Sequence, residues 1–252
     1  MDGHLIAFLL LGFFTGMGHA LEADHLAAIG ALASREREQA TREGRRPFGL
    51  LRMTSLGASW GLGHALTLLL LSLVVIVTGR VLSEHVAAML EFAVGVMLVA
   101  LGLDVLHRLW RNRVHFHVHD HGDGRVHIHA HSHANATVPH HQDAHHHRHP
   151  RGFSARAFLV GLMHGAAGTA GLLALAAAAT QDVRTTLAYI VLFGLGAMTG
   201  MALLTAVISW PLGLGARRLG WLLKGVQLAA TAITLGLGIM IMLRNAPTAF
   251  AG

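Results

Sequence analysis

The chain has 252 residues, of which 53% are hydrophobic and only 13% charged, and it has no cysteine. The charged share is roughly half that of soluble domains, which excludes an ordinary soluble globular protein. Without cysteine there is no disulfide framework, thiolate zinc site, Cys-ligated iron–sulfur cluster or thiol relay. The formal net charge of +6 would suggest a nucleic-acid partner in a soluble protein. Here most arginines sit in short segments between apolar runs, so the charge reads as membrane topology and no nucleic acid is expected.

The chain begins Met1-Asp2-Gly3-His4 and runs straight into apolar sequence. It lacks the positive n-region and cleavage site of a secretory signal, so the first run is read as a retained helix. Six apolar stretches reach the roughly 20 residues that span a bilayer. They run from Leu5 to Ala33, Met53 to Thr78, Val86 to Leu106, Ala157 to Ala179, Thr185 to Trp210 and Trp221 to Leu243. They are apolar on every face, whereas helices of a soluble core carry polar stripes. The expected fold class is an all-α membrane protein of about six transmembrane helices, with the lipid bilayer as its solvent. Residues 1–106 hold the first three helices, 107–156 a hydrophilic loop, and 157–252 the last three.

Basic residues orient these spans. Arg35, Arg37, Arg42, Arg45, Arg46 and Arg52 follow the first span. Arg108, Arg111, Arg113, Arg125, Arg148, Arg151 and Arg156 follow the third, and Arg217, Arg218 and Lys224 the fifth. Only Arg80, Arg184 and Arg244 fall on the other side. The positive-inside rule places the first set, and with it the long loop, in the cytoplasm.

That loop is low in complexity and holds 14 of the 21 histidines. His115, His117, His119 and His121 alternate with other residues, as do His127, His129, His131 and His133; His140, His141, His145, His146, His147 and His149 follow. Alternation fits a strand with its imidazoles on one face. With so few apolar residues to pack, disorder is the expectation. Neutral imidazole binds nickel, cobalt, copper and zinc alike, so the loop reads as a cytoplasmic buffer for such ions, Zn²⁺ included.

A weak internal repeat crosses the loop. Gly16-Met17-Gly18-His19 in the first span is echoed by Gly161-Leu162-Met163-His164 in the fourth, and Trp60-Gly61-Leu62-Gly63-His64 in the second by Phe193-Gly194-Leu195-Gly196-Ala197 in the fifth. Three spans separate the copies, so the halves would be inverted, as in many transporters with a site near the midplane.

The main chemical signal is His19-Ala20-Leu21-Glu22-Ala23-Asp24-His25 within the first span. Each charge in lipid costs about 2.5–3.5 kcal/mol on insertion scales, so such residues face a bundle interior. Imidazole with carboxylate suits nickel, cobalt, zinc or iron. On a straight helix Asp24 and His25 would lie about 140° and 240° round from His19. Either the helix is unwound here, which Gly16 and Gly18 would permit, or only some of these residues are direct ligands; a distorted turn is the expectation. His64 and His164 join the candidate set. Measured from the flanking arginines, His25, His64 and His164 lie about 15, 18 and 12 Å deep. Glu91 and Asp104 of the third span are weaker candidates, as groups that support the ligands from behind or cap a helix, and Glu84, His85 and His4 read as surface groups.

His19-Ala20-Leu21-Glu22-Ala23-Asp24-His25-Leu26 resembles the H-A-x-D-A-D-H-I signature of the nickel/cobalt permeases, the NiCoT/NicO superfamily. Gly63-His64-Ala65-Leu66-Thr67 is similar to the family's L-G-H-S-T motif. The Gly161–Gly171 stretch is similar to the G-x-x-H-G-x-x-G-S/T-G form of its urease-accessory-like branch. Gly18 stands where many of these permeases carry Arg, and Glu22 where they carry Asp. The eight spans and the L-G-F-D-T motif of the nickel permeases are not found. The resemblance implies a multi-pass protein of a bacterial inner membrane that carries Ni²⁺ or Co²⁺ as substrate and has no prosthetic group. His19, Asp24 and His25 would form the core of its site, with His64 and His164 from facing helices, Glu22 as an accessory carboxylate, and a cytoplasmic metallochaperone as a possible partner. No Walker A motif is present, so energy would come from a gradient or a partner. The rivals are an accessory or sensing membrane protein without flux, an intramembrane metalloenzyme, and a haem-bearing bundle with His64 and His164 as axial ligands. No H-E-x-x-H sequence supports the enzyme.

Overall fold

Long apolar runs make helices because in lipid a helix is the one open-chain form that pairs every backbone polar group within itself. The computed structural model describes residues 3–42, 49–80, 82–111, 115–120, 126–131, 153–166, 182–215 and 220–250. In chain order the elements are α1 (Gly3–His19), α2 (Ala23–Arg42), α3 (Leu50–Thr78), α4 (Glu84–Arg111), β1 (His115–Asp120), β2 (Val126–His131), α5 (Ala155–His164), α6 (Val183–Gly215) and α7 (Gly220–Ala249). Among the described residues, α3, α4, α6 and α7 are each long and apolar enough to cross a membrane, and α1 with α2 makes a fifth, bent candidate. Their outward faces carry bare apolar side chains such as Leu11, Phe14, Val77 and Leu243. In water such a surface would be an aggregation liability; in lipid it is solvated. Of the expected span from Ala157 to Ala179, residues 167–179 lie outside the described residues.

The first stretch, expected as one span with a distorted turn, is two helices bent by 55°. The break falls at Ala20-Leu21-Glu22, not at the glycines. Leu21 N–H donates to the Gly18 carbonyl and Glu22 N–H to that of His19, tightening the last turn of α1. Asp24 then sits in the first turn of α2 and accepts the His25 backbone N–H at 2.8 Å, as a carboxylate at a helix start favours. Gly16 stays helical because it serves contact instead: a Cβ there would strike the Phe193 carbonyl and lie 3.0 Å from the Ala197 nitrogen.

Packing brings α1 against α6, α3 against both α5 and α6, α4 against α7, and α2 against α7 and α4. Glycines let the backbones touch. Gly161 abuts Trp60 and His64 just as Gly16 abuts Phe193 and Ala197; Gly63 abuts Phe158 and Leu162 just as Gly196 abuts Phe13 and Met17. Adding 145 to the residue numbers of α1 and 133 to those of α3 carries one set of contacts onto the other, a registration read from the paired numbers themselves. The chain turns correspond as well: Leu21 N–H to Gly18 in one half matches Ala166 N–H to Met163 in the other.

The ends are capped locally. Gly79, at φ 63°, ends α3 in the left-handed conformation, which costs glycine no Cβ clash. Ser154 caps α5, and its own N–H donates to Ser59 Oγ at 2.9 Å, tying α5 to α3. Asp182 precedes α6 and accepts from the Thr185 N–H at 3.0 Å and the Thr185 hydroxyl at 2.8 Å. These donors hold its carboxyl below the usual range. A depressed folded-state pKa means stabilisation that is complete above the unfolded-state pKa and lost as pH falls through the folded one. Thermal scans of Asp182→Ala should therefore give a lower melting temperature than the parent at neutral pH, with the gap closing as the pH drops through and below the ordinary aspartate range. A gap that widens on acidification would contradict this capping role.

Two expectations are corrected here. Asp104 does not approach the motif of the first span. It accepts ion pairs from Arg35 of α2 at 2.8 Å, from Arg156 of α5 at 3.2 Å, and from Arg108 of its own helix, because it lies at the arginine-rich end of α4. The second concerns the histidine-rich loop, expected as disorder. Residues 115–120 and 126–131 pair as an antiparallel hairpin in the register His115↔His131, His117↔His129 and His119↔His127. The period-2 pattern with Phe116, Val118, Val126 and Ile128 between the histidines favours a strand and outweighs the loop's polar composition. His121, His133, His145, His146 and His147 lie outside the described residues.

Candidate metal centre

The break between α1 and α2 places His19 at the last residue of α1 and Asp24 and His25 in the first turn of α2. The kink resolves the angular problem of a straight helix: the His19 and His25 rings now meet at 4.5 Å between centroids. α3 contributes His64, 5.2 Å from His19 and 5.3 Å from His25. α5 ends on His164, 4.3 Å from His25 and 6.3 Å from His64. Four helix segments thus bring together all four histidines that the sequence singled out within the spans.

Ligand atoms of His19, His25 and His64 lie within 4.8 Å of one another, as do those of Asp24, His25 and His164. Nitrogens bound at about 2.0–2.1 Å from one cation are at most about 4.2 Å apart, so small ring rotations would close either group on an ion. His25, His64 and His164 are buried to 1% exposure or less. Asp24 Oδ1 is 2.9 Å from His25 Nδ1, and Oδ2 is 3.0 Å from His164 Nε2. Glu22 Oε1 lies 2.6 Å from His19 Nδ1; its side chain is 56% exposed. Against these satisfied atoms, His25 Nε2, His164 Nδ1 and both His64 nitrogens are buried with no hydrogen-bond partner. Unpaired buried polar atoms cost about 1–3 kcal/mol each. A neutral imidazole nitrogen without a donor to accept from keeps its lone pair available to a cation.

Two aromatic residues escaped the sequence reading. Trp60, wholly buried, sets its indole tilted at 5.5 Å from the His25 ring and edge-on at 5.8 Å from the His164 ring. Phe193 lies 5.5 Å from His19. They occupy corresponding places in the Trp60-to-His64 and Phe193-to-Ala197 echoes, which was the available signal: an aromatic four residues ahead of the position His64 fills. Both exclude water and fix the rings. Glu91 and Asp104 belong to neither group of possible ligands, and His85 donates instead to the Thr248 carbonyl at 3.0 Å.

A multi-span helical membrane protein that gathers four imidazoles, three of them buried, and a carboxylate at a broken helix has a cluster capable of coordinating a divalent transition-metal ion. Residues 5–245 match the NicO family, described as high-affinity nickel-transport protein. The chain belongs to that family. It is 28% identical over 215 residues to the urease accessory protein UreH of Bacillus sp. (strain TB-90), an alignment covering 85% of this chain and 82% of that one. No solved structure matches it.

Proposed function

We propose that the protein is a permease that carries Ni²⁺ or Co²⁺ across the bacterial inner membrane, with His19, Glu22, Asp24, His25, His64 and His164 as the groups that make up the site the ion passes through. The observation that carries this reading is the convergence of unpartnered imidazole nitrogens at a helix break inside the spans. Neutral nitrogens select borderline cations over Mg²⁺ and Ca²⁺, which prefer oxygen. The paired glycine contacts and matched turns support a 3+3 inverted repeat, residues 1–106 against 157–252. Rocking of one half on the other would expose the site to each side in turn. The loop of 107–156 takes the part of a cytoplasmic buffer, exchanging ions with the site or with a metallochaperone. A second reading, an accessory protein of urease assembly without flux, is favoured by the similarity to the Bacillus urease accessory protein.

Uptake of ⁶³Ni²⁺ into proteoliposomes separates the two. The permease reading expects saturable uptake by the parent protein, retained with altered half-saturation when residues 115–149 are deleted. No uptake above protein-free vesicles, with nickel still bound, would favour the accessory role.

A further inference from the structure

The two carboxylates of the motif do not sit as equals of the four imidazoles. An ionised carboxylate only accepts hydrogen bonds. Where Asp24 Oδ1 meets His25 Nδ1 at 2.9 Å, the ring nitrogen must carry the proton. The same holds where Oδ2 meets His164 Nε2 at 3.0 Å and where Glu22 Oε1 meets His19 Nδ1 at 2.6 Å. A neutral imidazole protonated on one nitrogen offers its lone pair on the other. His25 then presents Nε2, His164 presents Nδ1 and His19 presents Nε2. For the two buried rings these are the atoms that have no partner.

Resting on the permease reading, we propose that Asp24 is a positioning residue that clamps His25 and His164 in opposite tautomers, with Glu22 doing the same for His19, so that the substrate cation meets a shell of imidazole nitrogens and no carboxylate oxygen. His64, with both nitrogens unpartnered and no carboxylate beside it, is the fourth ligand and the one free to choose its nitrogen. The arrangement explains why one aspartate is placed between two histidines from different halves of the chain. A carboxylate behind a ligating histidine fixes its orientation and raises its basicity. It also supplies negative charge near the cation without entering its shell. An ion leaving such a shell breaks only bonds to neutral ligands, which suits release better than a buried charge-to-charge contact.

The tautomers can be read without metal. Nitrogen-15 spectra of the metal-free full-length protein in lipid distinguish protonated from bare ring nitrogens, with His25 and His164 assigned by the signals lost in His25→Gln and His164→Gln. We expect His25 protonated on Nδ1 and His164 on Nε2, and both patterns disturbed in Asp24→Asn, whose amide accepts from only one ring. The opposite protonation at either histidine, or spectra that Asp24→Asn leaves unchanged, would overturn the proposal. In proteoliposomes Asp24→Asn should raise the half-saturation for ⁶³Ni²⁺ by about 10–100-fold, as loss of an outer carboxylate does, and Asp24→Glu should recover part of it. Should the parent protein carry no nickel, the permease reading would fall while the spectra still decide the tautomers.

Discussion

Replacing His25 with Ala should reduce nickel uptake in proteoliposomes by at least about 100-fold, the upper end of what loss of a mere supporting group costs a metal site. His25 stands at the centre of the cluster. Its ring approaches those of His19, His64 and His164, and it belongs to both possible ligand groups. Removing it takes the central ring from both groups at once, whereas losing His64 or His164 alone takes a ring from only one. Those single variants should transport measurably, with raised half-saturation. The fold should survive His25→Ala, because the backbone N–H of residue 25 can still donate to Asp24 at the start of α2. His85→Ala, at the Thr248 carbonyl far along the chain, should transport like the parent. If His25→Ala and His85→Ala behave alike, the site is not where ions pass.

The second large effect concerns stability. Gly161→Ala places a methyl group against the Trp60 carbonyl, 2.9 Å from the carbonyl carbon and 3.0 Å from the His64 nitrogen. These are backbone atoms, which cannot swing aside as a side chain does. Overpacking costs about 1–3 kcal/mol where side chains can yield, so the upper end of that range is expected here, a fall of roughly 5–10 °C in melting temperature. Gly236 provides the contrast: a Cβ there meets nothing within 4 Å. Gly236→Ala should be neutral or slightly stabilising, since Ala restricts the unfolded chain and favours helix. Because Gly161 lies against the backbone that carries His64, its substitution should also weaken uptake beyond what its stability loss explains. Equal melting temperatures for the two variants would show that α3 and α5 do not touch as closely as described.

Much of the site was legible because intramembrane polar residues have few innocent explanations. His19, Asp24, His25, His64 and His164 stood out against apolar surroundings, and their depths counted from flanking arginines already suggested a common level. The break in the first span was also foreseeable, since a straight helix would scatter the motif. Its position was not: Gly16 is committed to contact with α6, and the break fell where the Asp24 carboxylate accepts the backbone N–H of His25 at the start of α2. Trp60 was hidden because an aromatic residue in an apolar helix carries no mark of what it faces. Asp104 misled for a related reason. A lone acid near the end of a span reads the same whether it supports a ligand of the site or holds three arginines, and only the helix packing decides. In the loop, composition and periodicity pointed opposite ways, and the hairpin of 115–120 with 126–131 followed the periodicity.

The central claim is that imidazoles from α1, α2, α3 and α5 share one cation. Equilibrium nickel binding to a variant lacking residues 115–149 tests it most directly, since the buffer histidines are gone. One ion per chain, displaced by Co²⁺ but not by Mg²⁺ and lost in His25→Ala, is the predicted result. Binding that is absent in the loop-deleted protein, or that persists undiminished in His25→Ala, would contradict it.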